Sequence, residues 1–338
     1  MIEVLVLGQN ERTWIGARVA GACAPAVVVT AMETTSTPAL SDAMTVWSDG
    51  SFLAGEQISV HALTHALHYG SSVFEGIRVY PTTRGPAIFR LREHVARLYE
   101  GAAAYGLAMP LDAAAFASTI RATVGASKLT AAYVRPLAYF AGDTVRLAPA
   151  GVCPTRTLIA VLPFSGLRPG RAEYTAGLTD VMKTPSASLP SRVKAGGHYT
   201  NSIRALHDVQ KRGFDEAILR NVRGDVAEGS GENVFVVRDG TLVTNDESAD
   251  ILPGITRDSV LTIARGAGIP VVVRPLAVAD LEQADEAFFT GTAAEVVPIV
   301  RFEARAMTEG PVTHLLRTTY AAIVRGDVPA PGDWLTLA

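Results

Sequence analysis

Cysteine, lysine and long apolar runs are all scarce in this chain. Its 338 residues include two cysteines, Cys23 and Cys153. Without a CxxC pair or a Cys/His cluster they make neither a disulfide framework nor a zinc set, and they fit a reducing cytosol. No run approaches 18 apolar residues, which excludes a membrane-spanning helix. Val19–Thr30 is apolar, but it follows Glu3, Glu11, Arg12 and Arg18 rather than a basic start, so it does not read as a secretion signal. The net charge of −3 gives no electrostatic case for binding nucleic acid or an anionic membrane. Only four of the 30 basic residues are lysines: Lys128, Lys183, Lys194 and Lys211. Covalent chemistry at a lysine amine therefore has four candidates.

What is present is a chain 48% hydrophobic and 19% charged, enough apolar material for a substantial core. Its length suggests about two domains. Residues 1–43 show little periodicity and read as an N-terminal extension, a tail, or sequence upstream of a start at Met44. From Thr45 the pattern sharpens. Hairpins are expected around Asp49-Gly50 and across Val73–Leu91, helices over Arg92–Tyr105 and Asp112–Ser127, and strands over Ala131–Phe140 and Thr155–Phe164. The Gly/Pro content of 166–170 marks a linker. Beyond it come strands at Glu173–Met182, Glu216–Asn221, Val234–Val237, Thr241–Thr244 and Val271–Val273. Helices are expected from Thr200, over Arg257–Ala267 with Thr256 as N-cap and Gly268 as stop, and over Val312–Val324. The sum is an α+β protein with a smaller domain at 44–165 and a larger one at 171–338, its longest loops near the junction where ligands tend to bind.

Lys128, Lys183 and Lys211 sit at element ends and read as solvated surface lysines. Lys194 is followed by Gly196 and Gly197, which let backbone approach a ligand closely, and by Tyr199. Further on stand Glu228-Gly229-Ser230-Gly231-Glu232-Asn233-Val234-Phe235, then Leu252-Pro253-Gly254-Ile255-Thr256-Arg257, then Thr290-Gly291-Thr292-Ala293-Ala294-Glu295. Alone, each has an ordinary reading: a tight turn with solvated acids, a helix cap without ligand, a small-residue loop.

In this order they resemble the class IV, fold-type IV pyridoxal-phosphate aminotransferases. Ala66-Leu67-His68-Tyr69-Gly70, Val73-Phe74-Glu75-Gly76-Ile77-Arg78, Arg92-Glu93-His94 with Arg97-Leu98, and Ala132-Tyr133-Val134-Arg135-Pro136-Leu137 look like the branched-chain amino-acid aminotransferase branch. The resemblance runs from Thr45 to about Arg325. It implies a two-domain α+β fold-type IV enzyme with pyridoxal 5′-phosphate as cofactor and no metal. Lys194 matches the family's Schiff-base lysine, Glu228 the carboxylate at the pyridinium nitrogen, and Tyr199 the phenol near the ring hydroxyl. Arg97, Ile255, Thr256 and Thr292 match the phosphate site. An amine of reference pKa ~10.4 must be held as an imine or desolvated to act, and once released it can carry a proton.

On the substrate side, Tyr69 and Arg135 match the grip on a γ-carboxylate, and Tyr133, Thr292 and Ala293 the α-carboxylate site. Phe74 and Phe164 would form apolar walls, with Gly76 and Arg78 at positions where relatives acting on D-amino acids or (R)-amines differ. The expected reaction transfers the amino group of L-leucine, L-isoleucine or L-valine to 2-oxoglutarate in a cytoplasmic homodimer with a shared active site, higher assemblies remaining open. The loop Gly142–Pro149 lacks the glycines usual in that branch and brings in Arg146, either toward substrate or paired with Asp143 at a surface. Two alternatives follow: an aminodeoxychorismate-lyase-like or specialised-metabolite transaminase, and a non-catalytic cofactor-binding homologue. The presence of both Lys194 and Glu228 argues against the second.

Overall fold

The computed structural model describes residues 44–149, 151–164 and 172–338. The expectations for residues 1–43, the linker 166–170 and Cys23 fall outside them. The first sheet is built from β1 (Thr45–Ser48), β2 (Ser51–Ala54), β3 (Ser72–Phe74), β4 (Ile77–Thr82), β5 (Gly85–Phe89), β6 (Ala132–Phe140) and β7 (Thr155–Pro163). The second contains β8 (Tyr174–Leu178), β9 (Glu216–Ile218), β10 (Asn233–Arg238), β11 (Thr241–Thr244), β12 (Val271–Val273), β13 (Glu286–Gly291), β14 (Glu295–Phe302) and β15 (Arg305–Ala306). A last strand, β16 (Leu335–Leu337), returns to pair antiparallel with β5. The first sheet runs β16-β5-β4-β6-β7-β1-β2 with β3 on β6, and the second β12-β11-β10-β13-β14-β8-β9 with β15 on β14.

The helices are α1 (His65–Tyr69), α2 (Leu91–Ala104), α3 (Ala113–Ser127), α4 (Tyr199–Gln210), α5 (Ile255–Gly266), α6 (Val278–Glu282) and α7 (Pro311–Val324). Helix α2 repeats Leu91, Val95, Leu98 and Ala102 along one face and buries them with Phe116, Ile120 and Val124 of α3 against the first sheet. Helix α3 starts where the Asp112 carboxylate accepts the Ala115 N–H at 2.7 Å. A second core joins α5 and α7 to the second sheet and takes in Tyr80 and Phe89 from the first. The described residues accordingly fall in one compact unit.

Two readings change. Helix α5 is capped by Gly254, so Thr256 lies inside its first turn rather than before it. The segment from Thr290 to Ala294 is the end of β13 and the turn into β14, a hairpin not foreseen from its small residues. Among the described residues no helix is long and apolar enough to cross a membrane, and no cluster of metal-ligating side chains could hold an ion.

Candidate active site

Strand periodicity places the first residues. Along β6 Ala132, Val134, Pro136 and Ala138 are buried, so Tyr133 and Arg135 share the opposite face. The Arg135 guanidinium lies over the rings of Phe74 at 4.6 Å and Tyr133 at 5.2 Å and donates to the Tyr133 hydroxyl at 3.2 Å. These residues, with Gly76, Thr292 and Ala293, line a cavity of about 660 Å³.

Lys194 forms another part of that wall. Its loop is tied to the first sheet, the Phe74 N–H donating to the Lys194 carbonyl at 3.0 Å. Gly196 and Gly197 serve this junction rather than a ligand. The Gly197 N–H donates to the Gly70 carbonyl at 3.1 Å, and a Cβ on Gly196 would lie 2.5 Å from the Ser72 hydroxyl. The Lys194 amine donates to the Tyr199 hydroxyl at 2.5 Å and sits 5.1 Å from the Phe74 ring centroid. Burial opposes its charge most strongly, but Tyr199 and Glu75 outweigh that, so its proton is held above the usual lysine value.

Lys194 and Tyr199 also line a second, more enclosed cavity that reaches Arg97, Glu228, Ile255, Thr256 and Thr292. The first turn of α5 points its unpaired N–H groups and positive dipole end here. The Thr290 hydroxyl, buried on the same wall, has no hydrogen-bond partner among the described residues. Glu228 is buried, its Oε2 accepting the Leu252 N–H at 2.9 Å and the Asn233 amide at 3.2 Å. Its Oε1 accepts the Lys183 ammonium at 2.5 Å. Lys183 is therefore not a solvated surface lysine, although Lys128 and Lys211 are exposed as expected.

Arg97 is fixed from behind by Glu75, through Nε at 2.6 Å and a terminal nitrogen at 2.9 Å, while its other nitrogen donates to the Pro253 carbonyl at 2.9 Å. His94 Nδ1 lies 2.7 Å from the same carboxylate. Burial is the largest influence on Glu75 and opposes ionisation, yet Arg97 and His94 overcome it and hold the carboxyl far below its usual range. Burial pushes His94 below its ordinary value despite Glu75.

Three expected substrate residues lie away from the cavity wall. Arg78 stacks on Phe164 at 4.6 Å and reaches the Glu295 carboxylate at 3.3 Å. Phe164 backs the Tyr133 ring at 5.2 Å. Tyr69, 43% exposed, donates instead to the Val145 carbonyl at 2.9 Å. Glu295 itself has left-handed backbone, φ 63°, and accepts from Tyr80 at 2.8 Å, so Arg78 and Tyr80 secure the turn that carries Thr292 and Ala293. Arg146 is exposed and makes no ion pair with Asp143.

The amino-transferase class IV pattern matches residues 72–302, more than half of the chain. The chain belongs to the class IV aminotransferases. A branched-chain-amino-acid aminotransferase of Pseudomonas aeruginosa is 36% identical over 305 residues, covering 86% of this chain and 96% of that protein. The crystal structure of a branched-chain aminotransferase from Thermoproteus uzoniensis with norvaline superposes with a TM-score of 0.83 at 38% identity, covering 87% and 98% of the two chains. The T.th. branched-chain amino acid aminotransferase complexed with N-(5′-phosphopyridoxyl)-L-glutamate gives 0.82 at 38%, covering 86% and 97%. Within this class IV aminotransferase, sequence reasoning quoted Glu75 and Asn233 without giving them a role and set Lys183 aside. All three make polar contacts to groups on the cavity walls.

Proposed function

We propose that this chain uses pyridoxal 5′-phosphate to transfer the amino group of L-leucine, L-isoleucine or L-valine to 2-oxoglutarate, forming L-glutamate. The observation that carries this reading is that Lys194 and Tyr199 stand on the wall common to both cavities, with Glu228 and the α5 N-terminus lining the enclosed one and Arg135 the open one. The residues present fit the cofactor. A phosphate suits Arg97, the first N–H groups of α5 and the Thr292 hydroxyl, and the unpartnered Thr290 hydroxyl offers a further donor. Glu228 suits a ring nitrogen that must stay protonated, and Tyr199 the ring hydroxyl.

When bound, the cofactor supplies an aldehyde to carry the amino group and a ring to spread the electron pair left at Cα. The chain does the rest. The Lys194 amine, on the wall common to both cavities, would take the proton from the substrate's Cα as a base and give it up again as an acid. Tyr199 holds that amine through its 2.5 Å hydrogen bond. Phe74 and Tyr133 give an aliphatic side chain an apolar surface, and Arg135 meets a γ-carboxylate in the same cavity. Related branched-chain aminotransferases have been crystallised with norvaline, which has an aliphatic side chain, and with a phosphopyridoxyl derivative of L-glutamate, which has an acidic one, and this supports the dual use.

A cytoplasmic homodimer completes the reading. The loop that carries Val145 and Leu147, both exposed, is held to α1 by the Tyr69 hydroxyl and by His65, whose Nε2 lies 3.1 Å from the Arg146 carbonyl. A second copy would cover this apolar edge. The cytoplasm suits Cys153, buried and unpaired among the described residues. The deciding experiment is a panel of amino donors assayed with 2-oxoglutarate, alongside light scattering for the mass. Turnover with leucine, isoleucine and valine is expected from a particle of two copies or a multiple. Turnover confined to other donors would replace the substrate, and a monomer would remove the shared site.

A further inference from the structure

We propose that Lys183 is a positioning residue whose ammonium group holds the Glu228 carboxylate aimed at the cofactor's ring nitrogen. The proposal rests on the role given to Glu228 above. The two oxygens of Glu228 are held differently. Oε2 takes two neutral donors, the Leu252 N–H at 2.9 Å and the Asn233 amide at 3.2 Å, and that amide is itself held by the Leu252 carbonyl at 2.9 Å. These donors fix the plane of the carboxylate but bring no net charge. Oε1 takes Lys183 at 2.5 Å, and one donor on an oxygen with two lone pairs leaves capacity for a second.

Burying a carboxylate costs desolvation that neutral donors offset only in part, and an ammonium partner offsets more of it, so the placing of this carboxylate depends on Lys183. The other charged groups facing this space do not replace Lys183. Arg97 is committed to Glu75 and Lys194 to Tyr199. Burial, then Lys183, push His198 below its ordinary value, so it adds no positive charge, and Glu232 carries the wrong sign. Lys183 is also anchored: its own N–H donates to the Arg220 carbonyl at 2.8 Å, and its side chain is 15% exposed. A lysine so committed is not a rival to Lys194 as the reacting amine.

The test is a double-mutant cycle on the affinity of the apo protein for pyridoxal 5′-phosphate, read by equilibrium dialysis. K183M should weaken binding roughly tenfold, and K183R, which keeps the charge, should restore it to within about threefold. In the E228Q background K183M should change affinity by less than about twofold, because the partner it serves is gone. An unchanged affinity in K183M, or an equal loss in both backgrounds, overturns the proposal. If circular dichroism shows that K183M is unfolded, K183Q takes its place in the same cycle with the same criteria. A wild-type chain that binds no pyridoxal 5′-phosphate overturns the cofactor reading itself, which separates that failure from a failure confined to Lys183.

Discussion

Gly76 leaves the space that the Tyr133 hydroxyl occupies: a Cβ at Gly76 would lie 1.8 Å from that oxygen and 2.6 Å from the ring carbon that bears it. The requirement is for room, because both atoms belong to a phenol group hemmed by Phe164 and Arg135. Gly76→Ala should push Tyr133 into the open cavity and raise KM for amino donor and 2-oxo acid alike by roughly tenfold. Cofactor affinity should stay unchanged, since neither residue lines the enclosed cavity. Steady-state kinetics and dialysis with pyridoxal 5′-phosphate separate the two effects, and a matching loss of cofactor affinity would show that the damage is general.

Lys194→Ala should remove both the visible absorption of the cofactor-loaded protein and its turnover. Loss of a proton-transferring group costs about 10²–10⁴-fold, and loss of the covalent anchor adds to it. In the wild type, borohydride should bleach the colour and fix the cofactor to Lys194, which peptide mass spectrometry would locate. Label recovered on Lys183 instead would reassign the two lysines.

Arg135→Ala removes a charge that only one of the two substrate types can use. The kcat/KM for glutamate should fall roughly 10–100-fold and that for leucine by less than about threefold. Competition assays with both donors present give the ratio directly. Equal losses would mean that Arg135 holds Tyr133 and Phe74 in place rather than binding a γ-carboxylate.

The buried set of Glu75, His94 and Arg97 makes stability depend on acid in a definite direction. Glu75 holds its proton far less tightly when folded than a free carboxyl does, so its contribution is present above about pH 4.3 and declines as pH falls below it. His94 is also depressed, so the folded chain binds fewer protons than the unfolded one below about pH 6.5, and stability again falls on acidification. Glu75→Gln should cost about 3–5 kcal/mol at neutral pH, as expected for breaking a buried ion pair, and should flatten the acid side of the profile. Urea midpoints between about pH 2 and 5 for both proteins check this, and parallel curves there would contradict it.

The parts of the fold written in short periods were legible in the sequence. Val95, Leu98 and Ala102 of α2 announce a helix, and Asp49-Gly50 a hairpin, because the cause lies within a few residues of the effect. Two strand features were not. The β13–β14 hairpin hides behind Thr290–Ala294, and β16 is three residues long and owes its conformation to β5. The site followed the same rule. Lys194 and Glu228 were found through motif order, whereas Lys183 reads as an ordinary lysine after a strand until folding brings Glu228, 45 positions away, to its ammonium group. The glycines after Lys194 were seen but given to a ligand, because the approach of Gly70 and Ser72 is a tertiary fact.

The return of β16 to β5 imposes an order on the making of this protein. Residues 335–337 supply an edge of a sheet whose other strands all lie within residues 45–163, and the Trp334 carbonyl accepts the Arg90 N–H at 2.7 Å. A nascent chain can assemble its early helices and strands while the ribosome is still at work, but that edge stays open to foreign strands until residues 335–337 have been made. Chaperone protection of the unfinished sheet would therefore matter while the residues between β7 and β16 are being made, and a stop codon before Leu335 would damage the first sheet to be made.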